Sequence, residues 1–448
     1  MSTEAELEAQ IGQWRGYVQR HRAISAADVE EMEGHLREQV SDLTGVGLAS
    51  DEAFLVAVKR MGSVDSISRE FAREHSDRLW KQLVLLPTEP EGGGDRPKRE
   101  LIVVLALVVI AALTLKVGLA ALDGGAVARN VSLFVLPFLA GYFAWKRQVS
   151  PRVAAALLVP FALAAVVLNV FPFDPDGSTE VIAAIHAPIA LWFVVGLAYV
   201  GGQWRSDRRR MDFIRFTGEW IVYLTLLAFG GFVLTGLTVS AFDTLDIDIE
   251  WVVEDWVVPF GVAGAVIVAA WLVEAKQNVV ENIAPVLTRV FTPLTIVMLL
   301  ALLVAFATNR SVIDIDRNLL ILMDLILVVV LGLLLYAISA RDPLASPDTF
   351  DRLQLVLILS ALAVDVVMLA AMLSRIAEFG FTANKTVALG MNLVLLVNLA
   401  WSARLGFGFV RGRRGFADVE RWQTRYVPVY GAWAAAVIVV LPPIFDFA

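Results

Sequence analysis

Residues 353–373 read LQLVLILSALAVDVVMLAAML, with a single charge, Asp365, and no glycine or proline. A helix crosses the ~30 Å hydrocarbon core of a bilayer with about 20 mainly apolar residues. This run meets that length and has no polar face to turn toward water, as an amphipathic surface helix would. It therefore reads as a membrane span, and Asp365 as a carboxylate placed deep in lipid.

Similar runs recur to either side. Candidate spans cover 101–122, 130–145, 153–172, 181–202, 214–241, 252–274, 286–307, 319–339, 353–373, 387–408 and 428–446. The chain as a whole is 58% hydrophobic, has a mean hydropathy of +0.68 and is only 18% charged. Average soluble domains are about 45–50% apolar and about 25% charged. The expectation is an all-α, polytopic membrane protein of about eleven spans over residues 101–448, with the lipid bilayer as its main partner. No signal peptide is read at the acidic, polar start MSTEAELEAQ.

Ahead of the spans, residues 1–76 are polar and helical in pattern. Leu7, Ile11, Trp14 and Val18 share one face of a helix over 4–21. Val29, Met32, Leu36, Val40 and Leu43 do the same for a helix opening at Ser25. Ser50 opens a third helix, ended by Gly62, and a fourth covers 64–75. Residues 77–100 then combine a segment that could lie on the membrane surface with a Pro/Gly-rich linker, PTEPEGGGDRPKRE. Acidic residues outnumber basic ones in this first domain, which argues against nucleic-acid binding.

Its segments HLREQVSDL, SDEAF and AVKRMGS resemble the permease prefix domain, a cytoplasmic helical module found ahead of bacterial multi-span proteins. That resemblance implies an adaptor-like domain with a possible protein partner and no catalytic residues. Farther on, RIAEFGFTANKTVALGMNLVLLVNL resembles a bacterial membrane family described only as domain of unknown function 4153. Arg375, Glu378, Gly380, Thr382, Asn384 and Lys385 fall on its pattern. This family implies a membrane class and no activity.

With the first domain in the cytoplasm, 21 basic residues flank the cytoplasmic ends of the spans and 5 the outer ends, following the retention of arginine and lysine on the inside. The expected location is a bacterial cytoplasmic membrane, N-terminus inside and C-terminus outside.

Ionisable groups in hydrocarbon are costly, so each invites a reason. The intramembrane polar candidates are Asp365, Asp324, Glu219, His186, Lys116, Asn392 and Asn398. Asp365 and Asp324 suit proton or cation coupling; alternatively they pair with Lys116, Asn392, Asn398 or a hydroxyl and fasten helices together. Glu219 reads as an i,i+4 partner of Arg215. Arg375 and Glu378, three apart, read as an ion pair at the outer rim.

The acidic stretch DTLDIDIEWVVEDW reads as a solvated outer loop with a hint of a strand over 246–251. Gly230, Gly231, Gly236, Gly261 and Gly264 suggest close helix packing. The absence of cysteine removes disulfides and thiolate sites, and no nucleotide-binding or hydrolase motif occurs. Neither catalytic residues nor a metal or other cofactor is expected. The functional expectation is a permease-like protein, possibly proton- or cation-linked, with a membrane sensor or accessory subunit as the alternative.

Overall fold

A computed structural model describes residues 7, 8, 10–12, 26–45, 48–61, 96–175, 177–275, 283–308, 317–343 and 345–448. The chain divides into two compact units, 1–95 and 96–448. Among the described residues the secondary structure is helical, with no strand.

In the first unit, α1 (Ala26–Gly45) packs on α2 (Ser50–Met61). Leu36, Val40, Ala53 and Ala57 form its core together with Ile11. Arg37 donates to Glu8 at 2.5 and 2.9 Å and to Glu33 at 2.9 Å. The hydrogen bonds from Arg37 hold the Glu8 carboxyl below its ordinary range. The expected helices over 4–21 and 64–75 and the segment 77–95 lie wholly or largely outside the described residues.

The second unit contains α3 (Arg96–Ala121), α4 (Gly124–Lys146), α5 (Pro151–Val170), α6 (Ser178–Tyr199), α7 (Asp207–Asp243), α8 (Glu250–Ala275), α9 (Ile283–Thr308), α10 (Arg317–Ser339), α11 (Thr349–Phe379), α12 (Ala383–Val410), α13 (Phe416–Val439) and the short α14 (Leu441–Ile444). Ten of these, α3 to α12, are long and apolar enough to cross a membrane. This is a polytopic all-α membrane protein. Short polar side chains start several helices: Asp123 accepts from Ala126 N at 2.8 Å, and Asp348 forms a capping box with Asp351.

The eleventh expected span, 428–446, needs correction. Its helix begins twelve residues earlier, at Phe416, and carries Asp418, Glu420, Arg421 and Arg425 in its first turns. It is therefore too polar to count as a span by composition. It still runs the length of the bundle. Its start lies beside Phe409, and beyond its end the Ala448 carbonyl accepts from Thr179 N at 3.0 Å, at the beginning of α6. Polar residues Gln423 and Thr424 are wholly buried on its inner face.

The helix ends collect at two opposite ends of the bundle. At one end Glu100 of α3, Lys146 of α4 and Glu274 of α8 join in an ion-pair cluster, with Arg147 bonded to both Glu274 (2.8 Å) and the Tyr199 carbonyl of α6 (3.0 Å). Most arginines flank this basic end. The other end holds the acidic stretch that follows α7.

Two apolar cores lie side by side. One is built from α3, α4, α5, α6 and α8, the other from α9 to α13. Helix α7 serves both: Phe213 and Phe216 enter the first, Met211 and Ile214 the second. Beyond Tyr223 it turns bare, with Phe229, Phe232 and Leu234 between 67% and 78% exposed. Apolar exposure on that scale in a soluble protein would be an aggregating patch; here it is lipid contact.

Two sequence expectations fail in this region. Residues 246–251 form no strand; α8 begins at Glu250 and its first turns widen into a π-helical segment, Val253–Val257. Apolar residues at 252, 253, 256 and 257 extend the α8 pattern, so helix prevails over the local alternation. The glycines at 230, 231, 236 and 261 are not packing sites, since a Cβ there would meet nothing within 4 Å. The tight crossings are elsewhere, such as Gly390 against Trp433 and Gly218 against Tyr336.

Candidate functional site

Helices α10, α11 and α12 each turn one continuous face inward. On α11 that face is Asp351, Gln354, Ile358, Ala361 and Asp365, at alternating steps of three and four residues. On α10 it runs from Asp324 through Leu327 and Leu334 toward Arg341, and on α12 from Asn392 through Leu395, Leu399 and Ser402 to Phe409. Polar groups occupy both extremities of these faces. Between them Leu327, Leu334, Ala361, Leu395 and Leu399, all at most 2% exposed, form a dry layer.

The deep extremity holds the two acids. Asp365 is 0% exposed, and among the described residues neither of its carboxyl oxygens has a hydrogen-bond partner. Its helix neighbours Val364 and Met368 are equally buried. Asp324, half-buried on α10, accepts from Asn392 Nδ2 at 3.0 Å. The Asn392 Oδ1 atom is also buried and unpartnered. This pocket of side chains is rich in acceptors and poor in donors. A carboxylate left this way in hydrocarbon is tolerated when it binds a proton or a cation, or when water reaches it. By helix rise, Asp365 lies fourteen residues, about 21 Å, from Asp351.

At the basic end the same faces close differently. Arg341 donates to both carboxyl oxygens of Asp351 at 2.8 and 2.9 Å and to the carbonyls of Asp342, Ala345 and Ser346. Its guanidinium lies 4.7 Å from the Phe409 ring and 4.5 Å from that of Phe416. Just inside is a cavity of about 60 Å³ lined by Gln354, Ile358, Ser402 and Gly406 among others, with room for a few waters. Gln354 donates to Thr292 at 3.1 Å while its Oε1 is left without a partner.

The other polar candidates separate from this site. Asn398 donates to Gln423 Oε1 at 2.9 Å, and Gln423 Nε2 donates to Ser402 at 2.7 Å. Its amide thus fastens α12 to α13. Lys116 pairs with Asp255 at 3.9 Å and sits 3.5 Å above the Trp256 ring, so it offers nothing to Asp365. His186 bonds the Ile182 carbonyl of its own helix at 2.9 Å.

Glu219 is half-buried on α7, four residues after Arg215, whose guanidinium donates to the Ser339 carbonyl at 3.1 and 2.5 Å and so ties α7 to the end of α10. At the far rim, near the end of α11, Glu378 is exposed and Arg375 is half-buried, three residues apart. Lys385 donates to the Gly380 carbonyl at 3.0 Å.

Three polar groupings escaped the sequence reading. Arg129 and the buried Glu180 form an ion pair, and Asn130 and Asn169 exchange hydrogen bonds at 2.9 Å. The Arg341–Asp351 clamp is the third. In the sequence Arg129 and Arg341 stand out only as basic residues flanking span ends. Among the described residues no cluster of three metal-ligating side chains occurs. No family model matches the chain, and no curated protein or solved structure is significantly similar to it.

Proposed function

We propose that this chain is a permease-like membrane protein, without enzymatic activity, in which binding of a proton or small cation at Asp365 and Asp324 is linked to movement of a solute. The observation that carries the reading is Asp365 itself. A wholly buried carboxyl with both oxygens unpartnered is a poor helix fastener, because it contributes no bond to the contact it occupies. Its place on α11 suits a group that loads and unloads a positive charge. Asn392 supports the same role by orienting Asp324.

The resemblances to the permease prefix domain and to the domain of unknown function 4153 family belong to this reading. So does the orientation in a bacterial cytoplasmic membrane, with the basic end inward. Proteoliposomes test the function: an imposed proton or sodium gradient drives a measurable flux that Asp365→Asn reduces at least tenfold. An equal flux in the variant would remove the main support. Orientation is tested by thiol labelling in the naturally cysteine-free chain. Ser206→Cys reacts from the cytoplasm and Thr244→Cys from outside; the reverse pattern rejects the assignment.

A membrane sensor or accessory subunit is the second reading, favoured by the separate compact unit ahead of the bundle. It requires a protein partner that crosslinks to the full chain and is lost when residues 1–85 are removed.

A further inference from the structure

The outward face of α12 changes character toward the basic end. Leu393, Val397 and Trp401 are exposed at four-residue steps (47%, 53% and 42%), which marks the side of the helix that meets lipid. Helical spacing puts Arg404, Gly408 and Arg411 on the continuation of that face. Both arginines are exposed, and among the described residues neither has an acidic partner. Each lies instead over an exposed aromatic ring of the same helix. Arg404 is 4.8 Å from Trp401, and Arg411 is 3.9 Å from Phe407.

Gly408 then admits a third cation. The Arg414 stem crosses it so closely that a Cβ on Gly408 would lie 2.9 Å from Arg414 Cδ. Among the described residues Arg414 has one exposed counter-charge, Asp418 at 3.8 Å, and a solvated pair of this kind holds the side chain weakly.

We infer that this face of α12 binds the headgroup of an anionic phospholipid, its phosphate among Arg404, Arg411 and Arg414 and its acyl chains along Trp401 and Phe407. Guanidinium groups bind phosphate with paired donors. The apolar rings directly beneath the cations favour a lipid over free phosphate or an acidic protein, because either of those leaves the rings without a partner. The site is separate from Asp365, which faces inward on another helix.

Native mass spectrometry of the full chain released from detergent, titrated with dioleoylphosphatidylglycerol or dioleoylphosphatidylcholine, reads the preference directly. Each arginine near an anionic headgroup contributes about fivefold, so for three such residues retention of the glycerol lipid exceeds that of the choline lipid by about a hundredfold. The triple variant Arg404→Gln/Arg411→Gln/Arg414→Gln brings the ratio to near one, while its circular dichroism stays that of the parent. Gly408→Leu, which pushes Arg414 aside and keeps every charge, lowers the ratio by a smaller factor.

Equal retention of the two lipids by the parent chain overturns the inference. So does an undiminished ratio in a folded triple variant, or displacement of the lipid by millimolar inorganic phosphate. A proton-coupling failure at Asp365 leaves this ratio unchanged, so the two proposals fail independently.

Discussion

Replacing Asp365 by valine should make the protein more stable while removing its proposed coupling role. On insertion scales an aspartate at the centre of a span costs about 2.5–3.5 kcal/mol and valine is favourable by roughly 0.3 kcal/mol. Because both Asp365 oxygens lack partners, no hydrogen bond is lost in the exchange. The added volume must fit against Val364, Met368 and neighbours that are fully buried, and such overpacking costs on the order of 1 kcal/mol. The net expectation is a gain of about 2 kcal/mol. Reversible unfolding in mixed micelles of increasing detergent fraction, followed by tryptophan fluorescence, measures it. If Asp365→Val unfolds more readily than the parent, the carboxyl has a stabilising partner and the reading of an unsatisfied, functional acid is wrong.

Three further outcomes follow from named contacts. Asn392→Leu removes the hydrogen bond that Asn392 donates to Asp324 and should destabilise the bundle by about 1–3 kcal/mol in the same assay. Gly390→Ala places a Cβ 2.0 Å from the Trp433 ring and should cost about 1–3 kcal/mol, whereas Gly230→Ala meets nothing and should gain roughly 0.5–1 kcal/mol from helix propensity. In the first unit the Glu8 carboxyl is held below its ordinary range by Arg37, so its contribution is present near neutral pH and disappears as pH falls through and below about 4.5. Hydrogen exchange over residues 26–45 of the full chain should therefore accelerate on acidification, beyond its intrinsic pH trend, and less so in Glu8→Gln.

Much of the architecture was legible because lipid imposes a simple rule: long apolar runs become helices with their backbone groups satisfied internally. The run 353–373 marked both a span and its buried acid, and the Asn392–Asp324 bond is one of the fastening pairs that the sequence left open. What the rule misses is pairing between helices. Nothing local in the sequence assigns Asn392 to Asp324 and Asn398 to Gln423, nor sends Lys116 to Asp255. The apolar run at 428–446 marks only the later part of α13, because the charged first turns from Phe416 do not read as part of a span. The glycines of α7 misled for a related reason: small residues permit close packing, yet the neighbour has to exist.

Helix α7 has a mechanical implication. Its first turns are gripped by both cores between Met211 and Phe216, while its remote half is free of either. If the two cores shift against each other, the fulcrum falls at those few residues, close to the basic end. From Phe216 to Asp243 is twenty-seven residues, a lever of about 40 Å. A tilt of about 10° at the fulcrum would sweep the acidic tip by roughly 7 Å, so a small repacking among Met211, Phe213, Ile214 and Phe216 would open a wide wedge on the opposite surface.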